Sequence, residues 1–495
     1  MEGTLLAAFA TLFQLKPMFF LTLGTALGIM IGSIPGLTAS MLIALTLPLT
    51  FYMVPVEAIT LLIGEYVGGI SGGFIAAILL RMPGTPASIV TTFDGYPMAQ
   101  KGLGQRALGL AILSSFCGGV ISWFFLAGLS PTLADLALKF GPWEYFTLVL
   151  TALVMLATLS QGAMAKGLLA GALGMMLALP GMDSSIGQLR LTFGWDRLNG
   201  GFQLLPVLIG TFAISQIIKD IISIDQKIKK VSVAGRGLAI KLKDLKTHGG
   251  NIIRSSFIGA WVGLLPGIGA NIAALMAYTT TKQLSKTPEE FGKGHESGVV
   301  AGETANNASI GGALIPMITM GIPGSVTEAI LIGALVIHNL QPGPLLFTSN
   351  PEIAYGIIAA YLVANVIMLV MMLAAIKWIA KLIYVPKAYL LTSILVFCVI
   401  GSFALANNFF DVWVMLAFGV IGYFLDLAKV PLGPFVIGFV LTPIAEEQLR
   451  AGLMMSGGNI FDIFTRPFAV VFLATSVLTL LWPLFQEFRN RRKSN

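Results

Sequence analysis

Apolar residues fill this chain in long runs, and polar positions gather in short clusters between them. The first runs lie near 57–80, 107–130, 144–160, 163–180 and 201–222. Later ones lie near 298–322, 324–340, 354–376, 388–406, 410–428, 432–445 and 467–485, some of them partial. Many reach the roughly 20 residues that cross a bilayer as a helix. Two runs are interrupted in nearly the same words, "GSIPGLTAS" (Gly32 to Ser40) and "GLLPGIGAN" (Gly263 to Asn271). Two further breaks fall at Pro83-Gly84 and Pro323-Gly324. Proline removes a backbone donor and glycine loosens a helix. In a membrane such backbone is tolerated only where protein or a water-filled cavity surrounds it.

Composition agrees with the pattern. Of 495 residues, 56% are hydrophobic and 11% charged, against roughly 25% charged in soluble domains. The chain reads as an all-α polytopic membrane protein with about 12 membrane segments, in line with the runs above. The start, "MEGTLLAAFATLFQLKPMFF", lacks a basic n-region and a small-residue cleavage site, so no removed signal peptide is expected. Cys117 and Cys398 lie inside apolar spans, and His248, His295 and His338 are scattered, which argues against a disulfide, metal or haem framework. "GIGANI" lacks the third glycine and the preceding strand of a dinucleotide fingerprint. No Walker motif and no recurring catalytic dyad is present, so neither ATP hydrolysis nor an enzyme is expected. The net charge of +7 is no nucleic-acid signal. It resides in the eight Lys/Arg between Lys219 and Gly250 and in the tail "RNRRK", and basic segments flanking spans read as cytoplasmic.

The interruptions repeat in order. "GIMIGSIPGLTAS" from Gly28 matches "GAWVGLLPGIGAN" from Gly259 at a constant displacement of 231 (28 to 259, 35 to 266). "GEYVGGISGGFIAAILLRMPGTPAS" from Gly64 matches "GETANNASIGGALIPMITMGIPGSVTE" from Gly302 with two one-residue gaps, which sets Glu65 near Glu303. Charge gives the relative orientation. Lys101 and Arg106 follow the second break of the first half, and "IHNLQPGPLLFTSNPEIAYG" in the second half has no basic residue. After the first break the bias is the reverse, with three lysines in "TKQLSKTPEEFGKGHES". Opposite bias means opposite orientation. The expected organisation is a first repeat over 1–222, a basic cytoplasmic linker over 223–250, an inverted second repeat over 251–447, and an extra span with a basic cytoplasmic tail over 448–495. Residues 18–50 and 252–281 are expected as re-entrant hairpins bent at Pro-Gly.

A break frees amide donors at one half-helix, which suit anions, and carbonyls at the other, which suit a sodium ion. Ser33, Thr38, Ser40, Thr85, Ser88, Thr91 and Thr92 surround the breaks in the first half, and Asn271, Asn306, Asn307, Ser309, Ser325 and Thr327 those in the second. The alternative is that these small residues only let helices pack closely. Glu65 and Glu303 lie within spans and either bind sodium or a proton, or are salt-bridged for structure. Arg81 either meets an anion or snorkels. Glu328 and Asp94 are expected to face water.

The blocks "PGTPASIVTTFDGYPMAQKG" (Pro83 to Gly102), "GLLPGIGAN", "ETANNASIGGALIPMITMGIPGS" (Glu303 to Ser325) and "GALVIHNLQPGPLLF" (Gly333 to Phe347) resemble the signatures of TctA, the large membrane subunit of bacterial tripartite tricarboxylate transporters. The resemblance covers nearly the whole chain. It implies a secondary transporter of the bacterial inner membrane, driven by an ion gradient that is usually sodium. It also implies a small four-span membrane subunit, a periplasmic substrate-binding protein, and citrate or related carboxylates as substrate, with no other cofactor. Carried over residue by residue, it gives substrate or ion roles to Pro35, Gly36, Thr38, Ser40, Pro83, Gly84, Thr85, Ser88, Pro266, Gly267, Asn271, Asn306, Asn307, Pro323, Gly324 and Ser325. Glu65, Ser33, Gly269, Glu303 and Ser309 are the candidate sodium ligands. An elevator-type importer is the expected mechanism, and a channel using the same hairpins is the alternative.

Overall fold

The computed structural model describes residues 2–158, 164–183, 187–222, 240–267, 269–382, 387–404 and 407–494. Most of the expected linker, 223–239, lies outside them. Twenty α-helices make up most of the described chain. The first are α1 (Glu2–Leu12), α2 (Leu15–Gly32), α3 (Ala39–Thr50), α4 (Pro55–Leu80), α5 (Thr91–Met98) and α6 (Gly104–Ala137). Then come α7 (Pro142–Thr158), α8 (Met164–Ala178), α9 (Leu204–Leu208) and α10 (Ser215–Ile222), the last two joined by a π-helical stretch, Ile209–Ile214. The remainder are α11 (Leu242–Leu264), α12 (Gly269–Gln283), α13 (Glu296–Met320), α14 (Val326–Ile337), α15 (Leu345–Ser349), α16 (Pro351–Leu382), α17 (Lys387–Ala404), α18 (Phe409–Leu427), α19 (Leu432–Met455) and α20 (Pro467–Ser494). Among the described residues, six helical segments are long and apolar enough to cross a membrane, and six shorter apolar helices accompany them. Helix α11 starts inside the stretch expected as linker. The periodicity did not reveal α1, α5 or a small β-ribbon pairing Gly181–Met182 with Leu189–Arg190.

Glycine seams set the core. A side chain at Gly24, Gly28 or Gly32 of α2 would run into the backbone of Leu61, Glu65 or Gly69 of α4. The contact positions climb together, so α2 and α4 are parallel. A chain that makes two successive parallel helices must return between them, and α3 is that return. The same packing recurs in α11 and α13, where Gly259 meets Ala305 and Gly263 meets Ser309, with α12 as the return. The first helices of each set are 231 apart (28 to 259, 32 to 263) and their partners 240 apart (65 to 305, 69 to 309). Glu65 therefore corresponds in packing to Ala305, not to Glu303 as the motif alignment had it. The gaps in that alignment fall before position 65.

Helices α4 and α13 pass each other in opposite directions. Tyr66, midway along α4, meets Glu328 beyond the end of α13, and Glu303, in the first half of α13, meets Thr91 beyond the end of α4. Between them Ser71 and Asn307 touch at the crossing. Helices α4 and α13 are deeply enclosed, Gly298–Thr319 of α13 being buried throughout, whereas α18 lies at the periphery. Bare aromatic residues such as Phe124 and Trp413 face outward, as suits a lipid surround.

The outer helices brace this centre. Helix α8 lies along α19, and α20 lies along α7, where Phe140 packs on Phe468 and Thr151 bonds Ser476 at 2.9 Å. Helices α7 and α20 run in the same direction, away from the end of α6. The C-terminal helix therefore heads for the face where α6, α11 and α13 begin, here termed the linker face.

An ionic clasp ties that face together. Arg106 of α6 donates to both Asp244 oxygens (2.5 and 2.8 Å) and to both Glu296 oxygens (2.8 Å each), and His248 lies 3.3 Å from Glu296. These partners hold the carboxyl groups low: His248 and then Arg106 bring Glu296 to about 2, and Arg106 lowers Asp244. A depressed carboxylate stabilises the fold fully above its ordinary pKa, and the contribution disappears as pH falls through the folded value. Melting temperature in detergent should fall from pH 4.5 towards pH 2, and Glu296→Gln should flatten that acid limb. In the seams, Gly28→Ala should cost on the order of 1–3 kcal/mol by overpacking. Gly128→Ala, where an added methyl meets nothing, should be neutral or stabilising by up to about 1 kcal/mol, as read by the same melts.

Candidate functional site

Each break is closed by specific groups. At the first, Gly36 turns with φ +93° and packs against Asp220 and Gln216 of α10. Ser33 donates to Met30 O at 2.7 Å. Thr38 caps α3 by accepting from Met41 N at 3.2 Å, which satisfies one of the orphan donors of a helix start. At the second, Gly84 N donates to Gly73 O at 3.3 Å, and the Ser88 hydroxyl accepts from Thr85 N at 3.0 Å with Thr85 Oγ1 a further 3.0 Å neighbour. At the third, Gly267 turns with φ +83° and donates its N–H to Gly324 O at 2.8 Å, so the third break seals the fourth. Gly267 also lies against Leu156 of α7. At the fourth, Ser325 caps α14 by accepting from Thr327 N at 3.2 Å.

Arms from opposite halves pack on each other. Helix α3 lies on α14, where Ser40 and Thr327 share a hydrogen bond of 2.8 Å, and α12 lies on the Pro86–Ile89 turn after the second break. Pro35 is buried at its bend, while Asn271 is half-buried at the start of α12 and Gly269 opens that helix with φ +71°.

At the crossing of α4 and α13 the core is polar. Ser71 donates to Asn307 Oδ1 at 2.7 Å, Asn307 Nδ2 donates to Glu303 O at 3.2 Å, and Tyr361 of α16 donates to Asn307 O at 3.1 Å. Asn306 is fully buried, and neither end of its carboxamide has a hydrogen bond of ordinary geometry. Ser309 donates to Asn306 O at 2.7 Å. The Asn306 side chain also acts on the Glu303 carboxyl, and a buried amide that lost its partners would cost roughly 1–3 kcal/mol.

Three carboxyl groups are fully buried around this centre. Glu65 accepts from Thr46 at 2.7 Å, Glu303 from Thr91 and from Ser115 at 3.4 Å, and Glu328 from Tyr66. Among the described residues none of the three forms an ion pair. The expectation that Glu328 and Asp94 face water is also overturned, because both have no exposed surface. Asp94 Oδ1 accepts the N–H groups of Gly292, Gly294 and His295 at 2.8–2.9 Å, and Tyr278 donates to Oδ2 at 2.9 Å. Arg81 is exposed, with its guanidinium 5.8 Å from the ring centre of Tyr96.

The expected residues thus form two groups. Asn306, Asn307, Ser309 and Glu303 share one buried stretch of α13, and the break residues line the arms on either side. Glu65 and Glu303 do not share partners. Sequence reasoning missed Tyr66, Ser71, Thr46, Ser115 and Tyr361, since nothing local links positions as far apart as Ser71 and Asn307. Glu328 did carry a signal: an acid in the first turn after a break, in a stretch without lysine or arginine.

A model of the Tripartite tricarboxylate transporter TctA family matches residues 18–437. The chain belongs to the TctA family. Two proteins of Agrobacterium vitis are similar to it. "Uncharacterized 52.8 kDa protein in TAR-I ttuC' 3'region" is 35% identical over 470 residues, 95% of this chain and 93% of that protein. "Uncharacterized protein in TAR-II ttuC' 3'region" is 35% identical over 234 residues, 47% of this chain and 97% of that protein. No solved structure matches. As a TctA-family member the chain is a multi-pass membrane subunit of a tripartite tricarboxylate transporter, and the family is a transporter family rather than an enzymatic one.

The crossing contact is directly testable. Asn307→Leu should destabilise by roughly 2 kcal/mol, since it leaves the Ser71 hydroxyl buried without its acceptor. The double variant with Ser71→Ala should cost less than the sum of the two single changes, as read by denaturation in detergent.

Proposed function

We propose that this TctA-family chain is the translocating subunit of a sodium-coupled, binding-protein-dependent importer of tricarboxylates or related carboxylates. Its two halves, 1–222 and 251–447, act as inverted repeats. The observation that carries the reading is the opposed passage of α4 and α13, each with a break and an arm packed on the other half. Such paired breaks near a midplane are where secondary transporters hold substrate and ion.

The anion is received by the arm starts around Pro35, Gly36, Thr38, Ser40, Gly84, Thr85, Ser88, Gly267, Asn271, Gly324 and Ser325, with Asn306 and Asn307 between them. Hydroxyls, amides and helix N-termini hold a carboxylate without a buried cation. Sodium is held by Glu65 and Glu303 with Ser33, Gly269 and Ser309, whose oxygens are hard ligands. Transport proceeds by an elevator-like displacement of the hairpin-bearing centre against the outer helices α7–α10 and α17–α20. The partners are a small four-span membrane subunit and a periplasmic binding protein that delivers the substrate. The site is the bacterial inner membrane, with the linker and the C-terminal tail cytoplasmic.

The test is uptake of radiolabelled citrate and related carboxylates by the three-component complex in proteoliposomes. Uptake should saturate, stop when the sodium gradient is collapsed, and fall at least roughly 100-fold when Thr85, Ser88, Asn306 and Asn307 are all changed to Ala, given about 1.5–3 kcal/mol per hydrogen bond to a charged group. Unsaturable flux that survives collapse of the gradient would identify a channel instead. Undiminished uptake by the quadruple variant would remove the site from this position.

A further inference from the structure

Glu328 has no role in the reading above. It lies in the first turn of α14, fully buried; one oxygen accepts from the Tyr66 hydroxyl, the Ser325 hydroxyl and the backbone amides of Ser325 and Glu328 also act on the carboxyl, and Oε2 has no hydrogen bond of ordinary geometry. A buried carboxylate without a counter-charge is among the most costly groups a core can hold. The surroundings offer oxygen. Tyr66 Oη comes from α4, and the Ser325 hydroxyl acts on both Glu328 and Tyr66. One residue before Glu328, the Thr327 hydroxyl is bonded to Ser40 of α3.

Among the described residues no basic group competes. The helices packed on α14 are α3, α4, α9, α13 and α19. Helices α3 and α9 have no titratable side chain. In α4, Glu57 faces Lys16 and Glu65 faces Thr46, which leaves Tyr66. In α13, Glu296 sits in the clasp and Glu303 on Thr91 and Ser115. In α19, Glu446 and Arg450 pair with each other, Arg190 and Asp183, and Glu447 lines a separate cleft of 530 Å³. Tyr361 of α16 is the next titratable group, acting on Tyr66.

We propose that Glu328, with Tyr66 and Ser325, forms a monovalent-cation site, and that its occupant neutralises the carboxyl and fastens α4 and α3 of the first half to α14 of the second. The packing equivalent of Glu328, 240 positions earlier, is Ser88, and that of Tyr66 is Asn306. The second-half break therefore carries an acid where the first-half one has a serine. The site deepens the transport reading by adding a cation to those at Glu65 and Glu303. A substrate bearing several negative charges needs such compensation in a core that already buries three acids and no lysine or arginine beside them. A proton and a sodium ion would both meet the need, and they are separable by experiment.

The readout is equilibrium binding by the purified full-length chain in detergent, which stands apart from uptake by the complex. Radioactive sodium binding at pH 7.5 gives a stoichiometry, and melting temperature from pH 5 to 8 in sodium-free choline chloride gives a proton dependence. Glu328→Gln keeps the shape of the side chain and removes its charge. If sodium is the occupant, this variant binds one sodium ion fewer than the unmodified chain. If a proton is the occupant, sodium binding is unchanged and the pH dependence of melting flattens. Tyr66→Phe, which keeps the acid, should weaken sodium binding several-fold or shift the pH limb, and it decides the matter if Glu328→Gln fails to fold. Unchanged sodium stoichiometry together with an unchanged pH profile in Glu328→Gln, or no effect of Tyr66→Phe where it is the deciding variant, overturns the site. Uptake could still be sodium-coupled through Glu65 and Glu303 in that case.

Discussion

Broken backbone in a lipid-surrounded core must find partners for its own N–H and C=O groups, because no water is there to supply them. In this chain the breaks answer one another. The Gly267 amide is held by the Gly324 carbonyl, and the Gly84 amide by the Gly73 carbonyl. These contacts need helices at backbone distance, and that is the role of the glycine seams along α2 and α11. Remove the seams and the breaks have no partners; remove the breaks and the arms cannot turn back. The polar crossing at Ser71 and Asn307 depends on both.

Much of this was legible in the sequence. The apolar runs located most of the helices to within a few residues, since a span must be long and continuous whatever surrounds it. Four of the six Pro-Gly dipeptides marked the four breaks, because proline and glycine act locally. What stayed hidden was long-range. Periodicity cannot show that Glu328 is enclosed, because an acid just beyond a break looks the same whether the arm faces water or the opposite half. The two one-residue gaps in the motif alignment misplaced the partner of Glu65, and only the contacts of Gly28 and Gly32 corrected the register. The β-ribbon near Arg190 was missed because two-residue strands have no period to detect.

The candidate site was partly legible for the same reason. Asn306 and Asn307 stood out as adjacent amides in an apolar run, but their different environments did not. Asn307 bonds Ser71 and its own helix, whereas the Asn306 side chain acts on the Glu303 carboxyl. Adjacent residues on a helix point about 100° apart, so the two amides meet different neighbours. Tyr66 and Glu65 divide in the same way, one towards α14 and the other towards α3.

The Asp94 contact has a mechanical meaning. Its carboxylate gathers three amide protons from residues 292–295, just ahead of α13, while its own backbone belongs to α5, the arm beyond the break that ends α4. Pulling them apart would strand a buried acid and three donors together. The two elements therefore behave as one lever with its ends in different halves of the chain, and a displacement of either is transmitted to the other without slack.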